Sequence, residues 1–284
     1  MGIPYAEVIG DPITHSKSPL IHTFWLEKLG IAAEYRRTRV KAEELPAYLA
    51  SRRADPDWRG CNLTMPLKQS VLPLLGRINP AAAQIGAVNT IVAEGVEPET
   101  GYNTDGEGFL EPLWPLLARH HLFRMARVFG AGGAARAIVP ALRDAGFAIV
   151  VAARRLEDAQ RLVEGFDQHF NHAVSLDHFA SPTDFAFDDR SGILDLVVNT
   201  TPLGMHGKPP LELDFSHVPA GAVIYDIVYD PLETPLLAEA GARGHPAIDG
   251  VSMLIGQGAA AFARFFGAPA PRAYDTELRE RLTR

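Results

Sequence analysis

Cysteine is all but missing from this chain of 284 residues, where Cys61 stands alone. A single thiol cannot form an internal disulfide, and it excludes the paired-cysteine motifs of zinc and redox sites. Such usage fits a reducing compartment, so a cytoplasmic location is expected. Runs of one charge are missing too. The formal net charge is −7, and no cluster of lysine and arginine offers the basic surface a nucleic-acid groove needs. No apolar run approaches the roughly 18 residues that span a bilayer. The opening MGIPYAEVIG also lacks a basic region followed by a long apolar core. Neither nucleic acid nor a membrane is expected as a partner. The ten histidines are scattered without an HExxH or other paired spacing, even where His120 and His121 adjoin. No metal is expected.

What is present is ordinary globular material, 47% hydrophobic and 21% charged, in a chain long enough for two domains. Short apolar runs alternate with helix-patterned stretches from end to end, the mark of an α/β protein with parallel sheets flanked by helices. A strand YAEVIG leads through DPITHSKSP into a helix over LIHTFWLEKLG, which stops at Gly30. Ser18 suits the cap of that helix and Pro19 its first turn. Further strands are read in EYRRTRV and into GCNLT, with a helix near AEELPAYLASRR between them. In NLTMPLK, Pro66 lacks a backbone donor and biases Met65 toward an extended form, so Lys68 is expected at a strand end or loop. The segment GFLEPLWPLLARHH separates this first unit from a second. The expected domains are 1–108, 109–248 and a C-terminal helical segment 249–284 that returns to the first.

The second unit opens with ARVFGAGGAARAIVPALRDAG. Gly130, Gly132 and Ala135 satisfy G-x-G-x-x-G/A directly between an apolar run and a helical pattern. The first glycine permits the tight turn and the second lets backbone approach a pyrophosphate, while the helix N-terminus supplies free N–H groups. A dinucleotide is therefore expected. Pro140 falls inside the following helix. The next strand, AIVVAA, ends in Arg154 and Arg155 where an NAD-binding fold usually places an acid. Two guanidinium groups suit a 2′-phosphate, which favours NADP over NAD. Glu157 and Asp158 follow at once and keep NAD open.

Eight stretches then come into view in a fixed order: GDPITHSKSP (10–19), NLTMPLK (62–68), GAVNT (86–90), YNTDGEGF (102–109), GAGGAARA (130–137), NTTPLGM (199–205), YDIVYDPLETPLL (225–237) and DGVSMLIGQGAAAF (249–262). Through them the chain resembles the shikimate/quinate dehydrogenase family along almost its whole length. The resemblance implies an N-terminal α/β substrate domain, a Rossmann-like doubly wound NADP domain and C-terminal helices returning to the first. It implies NADP-dependent reversible reduction of 3-dehydroshikimate to shikimate, on the route to chorismate and the aromatic amino acids. Lys68 takes the place of the family's essential lysine and Asp105 that of its neighbouring aspartate. A cation within reach of a ketone oxygen both polarises it and donates the proton that reduction requires. By the same resemblance Ser16, Ser18 and Tyr229 bind the substrate carboxylate, and Thr64, Asn89 and Gln257 contact ring hydroxyls. The cofactor falls to Gly130, Ala131, Gly132, Gly133, Ala134, Arg154, Arg155, Thr200, Ile227, Gly250 and Met253. The active site is expected in a cleft between domains, in a monomer or homodimer.

Two departures from the family pattern stand out. Thr23 replaces an asparagine often found after the histidine of HSxSPxxHN, and Ala153-Arg154-Arg155 replaces an asparagine-arginine-threonine run. The second bears on the choice between NADP and NAD. The alternatives are a quinate/shikimate dehydrogenase using NAD or both cofactors, an aminoshikimate dehydrogenase, and a non-catalytic NADP-binding sensor. Retention of both Lys68 and Asp105 speaks against the sensor, which needs no acid/base pair.

Overall fold

A computed structural model describes residues 2–94 and 97–283. The chain forms two compact units, 1–108 with 255–284, and 109–254.

The first unit holds six strands, β1 (Tyr5–Gly10), β2 (Glu34–Arg39), β3 (Trp58–Leu63), β4 (Arg77–Ile78), β5 (Thr90–Glu94) and β6 (Glu97–Tyr102), in the order β2-β1-β3-β5-β6-β4. The central β1 is buried at every position. Its one charge, Glu7, is held by the guanidinium of Arg52 and the hydroxyl of Thr38. The sheet is parallel in part, with one strand reversed. β5 runs antiparallel to both β3 and β6, while the remaining pairs are parallel. The apolar run of this strand is short, and runs of that length carry no direction.

Helices α1 (Ser18–Leu29), α2 (Leu45–Arg53), α3 (Leu67–Ser70), α4 (Pro80–Ile85) and α5 (Asp105–Leu110) follow in chain order. α1 ends as expected at Gly30, whose φ of 63° closes the helix in the left-handed region. Ser18, expected as its cap, is instead the first helical residue. The cap position is Lys17, whose side chain makes no capping bond, and just before it Ser16 Oγ accepts from the Ser18 N–H at 3.3 Å. Lys68 lies not in a loop but in the single turn α3, immediately after the strand end.

The second unit is a fully parallel sheet of β7 (Phe123–Phe129), β8 (Ala148–Ala153), β9 (His172–Ser175), β10 (Ile193–Asn199), β11 (Val223–Asp226) and β12 (Ala247–Ile248), ordered β12-β11-β10-β7-β8-β9. This is the doubly wound order, with its switch point between β7 and β10. The helices are α6 (Trp114–Leu117), α7 (Gly133–Asp144), α8 (Leu156–Val163) and α9 (Pro235–Ala242). α7 runs on through Pro140, burying Ala135, Ile138, Val139 and Leu142 on its inner face.

α10 (Gly250–Phe266) and α11 (Asp275–Thr283) complete the chain, and the division between units falls inside α10. In the first unit its Phe262 meets Trp25 edge-on, with ring centroids 5.4 Å apart. Gly258 packs against the Trp25 ring, where an added Cβ would lie at an ordinary contact distance of 3.5 Å. Among the described residues no helix is long and apolar enough to cross a membrane.

Candidate active site

The polar stretches of the first unit meet because of strand pairing. β5 begins at Thr90, opposite Asn62 near the end of β3 and Tyr102 at the end of β6. The residues just before β5 therefore lie beside those just after β3 and β6. The Leu63 N–H donates to Asn89 O at 2.8 Å, Asn89 N–H to Tyr102 O at 3.0 Å, and Val88 N–H to Lys68 O at 2.8 Å. GAVNT thus holds NLTMPLK on one side and YNTDG on the other. Asn103 adds a side-chain bond to Ala87 O at 3.0 Å.

At this junction Lys68 Nζ donates to Asp105 Oδ2 at 2.5 Å, and Asn89 Nδ2 donates to Asp105 Oδ1 at 2.8 Å. The lysine side chain is 21% exposed and the aspartate 6%. The carboxylate is largely withdrawn from water with a donor on each oxygen, while the ammonium keeps a path to ligand. A charge pair so placed is held in one geometry, because loss of Lys68 would leave the Asp105 carboxylate largely unsolvated. Asp105 also opens α5, where the helix end favours negative charge. Thr104, which the sequence did not single out, fixes Asn89 further by donating its N–H to Asn89 Oδ1 at 2.9 Å.

Thr64 follows β3 directly and lies against Gly10, where a Cβ would come within 2.4 Å of its methyl carbon. Gln257 lies on α10 against α5. A Cβ on Gly108 would fall 2.2 Å from Gln257 N, so only glycine allows the two helices to approach this closely. Ser16 is positioned through its carbonyl, which accepts from the Arg37 guanidinium at 2.6 Å. Between the two serines, Lys17 Nζ donates to Leu282 O at 2.5 Å, near the C-terminal end of α11. A cation is favoured at such an end. Tyr229 belongs to the second unit, where burial pushes its phenol pKa up.

In the second unit Gly130 and Thr200 follow the two strands that flank the switch point. Gly130 has φ of 109°, and a Cβ there would sit 2.5 Å from Thr200 Oγ1, so the fold itself requires this glycine. Thr200 is pinned in turn, its hydroxyl donating to Phe129 O at 2.7 Å. Gly132 and Gly133 differ. A Cβ at either would meet nothing within 4 Å. No packing inside the protein demands glycine there, and the open space over the start of α7 is what a pyrophosphate approaching the backbone needs. The loop fits a dinucleotide.

Arg154 and Arg155, expected as a pair, part company. Arg155 donates through Nε to Asp158 Oδ2 at 2.5 Å, and Arg161 takes the other oxygen at 2.9 Å. Asp158 is thus occupied by two guanidinium groups. Arg154 is exposed and makes no ion pair among the described residues.

Ile227 and Gly250 touch: a Cβ on Gly250 would lie 2.3 Å from Ile227 O. Met253 is buried in the core of this unit beside them, with Tyr225 and Phe109. A polar knot that the sequence did not reveal sets Ile227 in place. Asp226 is fully buried and accepts from Asn199 Nδ2 at 3.0 Å, Thr234 Oγ1 at 2.7 Å and Val228 N–H at 3.0 Å. Burial pushes its carboxyl pKa up against these three donors. The knot ties NTTPLGM to YDIVYDPLETPLL, which gives both stretches a structural reason for polar residues at the ends of apolar strands. Trp25 and Trp58 are core residues, whereas Trp114 and His206 are exposed.

Comparison with known proteins identifies the family. Residues 8–91 match the family described as shikimate dehydrogenase substrate binding domain, and residues 250–277 that described as shikimate 5′-dehydrogenase C-terminal domain. The chain is 48% identical over 280 residues to a shikimate dehydrogenase (NADP(+)) of Sphingopyxis alaskensis, covering 98% of this chain and 97% of the relative. A shikimate dehydrogenase (NADP(+)) of Methylobacterium radiotolerans is 40% identical, with 98% and 96% covered. The solved shikimate 5-dehydrogenase of Thermus thermophilus in complex with NADP(H) and shikimate superposes with a TM-score of 0.83 at 35% identity, over 99% of this chain and 100% of that one. With this identity sustained from end to end, the chain belongs to the shikimate dehydrogenase family.

Proposed function

We propose that the protein catalyses the NADP-dependent, reversible reduction of 3-dehydroshikimate to shikimate. The observation that carries this reading is the Lys68–Asp105–Asn89 cluster, an ion pair whose carboxylate is withdrawn from water and takes one donor on each oxygen, leaving acceptor capacity for a ligand. Bound NADPH supplies the hydride. Lys68 Nζ is the donor that polarises the substrate's ketone oxygen and gives it a proton, and it recovers the proton in the reverse direction. Asp105 holds the ammonium in place and accepts from a substrate hydroxyl. Such a proton donor contributes about 10²- to 10⁴-fold to the rate.

On the resemblance to the family, Thr64, Asn89 and Gln257 receive the ring hydroxyls, and Ser16, Ser18 and Tyr229 the carboxylate. Arg154 is the guanidinium we assign to the 2′-phosphate, since Arg155 is already engaged by Asp158. Residues 1–108 then form the substrate domain, and the glycine loop at Gly130–Ala134 with Thr200, Ile227, Gly250 and Met253 lines the cofactor's place. We place the reaction in the cytoplasm, in keeping with a single thiol at the buried Cys61.

The test is nicotinamide absorbance with shikimate or quinate, each paired with NADP or NAD, on the purified protein and on Lys68→Ala. Turnover with shikimate and NADP, lost in Lys68→Ala, is expected. Preference for quinate or NAD would move the protein to the broader-specificity branch, and no turnover with any pair would refute the enzyme reading.

A further inference from the structure

Four polar side chains run in a row through the core of the first unit and end on Asp105. Tyr35 on β2 reaches across β1 and donates its hydroxyl to Asn62 Oδ1 on β3 at 2.6 Å. Asn62 Nδ2 donates to Thr90 Oγ1 on β5 at 3.0 Å. Thr90 Oγ1 donates to Asn89 Oδ1 at 2.8 Å, and Asn89 Nδ2 to Asp105 Oδ1 at 2.8 Å. All are buried, Thr90 completely. Apolar residues in these positions would cost the fold less, because each buried polar group must find its partner.

The direction of every bond is fixed by two backbone groups whose roles admit no choice. The Thr104 N–H can only donate, so the atom of Asn89 facing it is Oδ1, and Nδ2 faces Asp105. The Asn89 carbonyl can only accept, so the atom of Asn62 facing it at 3.3 Å is Nδ2, and Oδ1 faces Tyr35. Thr90, approached by an Asn62 N–H, must accept there and spend its one proton on Asn89. Along the row every bond therefore points toward the carboxylate, while Asn62 Nδ2 and Asn89 Nδ2 also donate off it, to Asn89 O and Thr104 Oγ1. Bonds aligned head to tail polarise one another, so the last of them, onto Asp105, is stronger than it would be alone. The far end is rigid as well, since the Tyr35 ring stacks on His22 with centroids 3.9 Å apart and planes 9° from parallel.

We propose that Tyr35, Asn62 and Thr90 are positioning residues for the reaction, acting through Asn89 to hold Asp105 and hence Lys68 in their working geometry. This rests on the assignment of Lys68 and Asp105 as the catalytic pair. None of the three is taken to touch substrate; their effect is transmitted along the chain.

The experiment is a double-mutant cycle on kcat at saturating shikimate and NADP, on variants that melt above the assay temperature. Thr90→Val removes the hydroxyl at constant shape and is expected to lower kcat about tenfold, the equivalent of one hydrogen bond in a charged network. Thr90→Ser, which restores the hydroxyl, should return kcat to within about twofold of wild type by the same reasoning. Tyr35→Phe should lower kcat about threefold in the wild-type background, and by nothing measurable once Thr90→Val has cut the chain. A purely structural role would make the two losses add. Wild-type kcat in Thr90→Val, failure of Thr90→Ser to restore it, or an equal loss from Tyr35→Phe in both backgrounds overturns the proposal. Lys68→Ala is run beside them: if it is inactive while Thr90→Val is unimpaired, the relay alone fails, and if it turns over normally, the assignment of the pair fails.

Discussion

Gly133→Ala separates what the fold needs from what the ligand needs. Gly133 is the first residue of α7, and an added Cβ meets no atom within 4 Å. Without ligand the substitution should therefore stabilise, by about 0.4–1 kcal/mol, because alanine has fewer unfolded conformations to lose. For a chain of this size that is a rise in melting temperature of roughly 1–4 °C. With NADP the sign reverses. A methyl group would occupy the space the pyrophosphate approaches, and a displacement costing about 1.4–2.8 kcal/mol weakens binding about tenfold to a hundredfold. The assays are thermal unfolding without nucleotide and the KM for NADP at saturating shikimate. General damage cannot produce a protein that is more stable and binds NADP less well. A stability gain with an unchanged KM would refute the argument that this glycine is kept for the dinucleotide. Gly130→Ala supplies the contrast, for it should unfold the unit's switch point, having φ of 109° and Thr200 in the way.

Arg154→Ala should raise the KM for NADP about tenfold or more, the loss of a charge-assisted pair, and leave the KM for NAD unchanged; Arg155→Ala should do much less, its guanidinium being committed to Asp158. Lys17→Met breaks the bond to Leu282 O and should raise the KM for shikimate about two- to tenfold without changing kcat, in line with one lost hydrogen bond. Burial holds the His22 pKa at about 3 in the folded protein, below its ordinary 6.5, so the unfolded chain takes up the proton first. That contribution to stability is full above pH 6.5 and is lost as pH falls toward 3, at about 1.4 kcal/mol per pH unit. Urea unfolding should show this part of the acid slope vanish in His22→Phe, and an unchanged slope would refute it.

Much of the fold was legible because its signals are local. Gly30 closing α1, the glycine loop between β7 and α7, and the doubly wound order of apolar runs all follow from short-range rules. The cap of α1 was misplaced because Ser18 is a good capping residue by type, whereas the backbone turns helical one residue earlier than that type suggests and leaves Lys17 at the cap position. Arg154 and Arg155 looked equivalent for a like reason. Whether an arginine is free depends on the turn that brings Asp158 within reach, and the residue types do not specify that turn.

The direction of β5 was the larger omission, and it decides the site. Had β5 run parallel to β3, its first residue would lie beside the start of β3, and Asn89 would be a strand's length from Lys68. Reversal places the beginning of β5 against the ends of β3 and β6 at once, so that three stretches far apart in sequence, NLTMPLK, GAVNT and YNTDG, share one point. The same reversal sets Thr90 opposite Asn62, which joins the buried row to the ion pair. Sequence pattern could identify each stretch as unusual, since asparagine, threonine and lysine sit where a strand end should be plain. It could not bring them together, because an alternation of apolar residues has the same period whichever way a strand runs. The Lys68–Asp105–Asn89 cluster is therefore written in residues but assembled by topology, and a change that weakened the β5–β6 pairing should part Asn89 from Asp105 while leaving both in place in the chain.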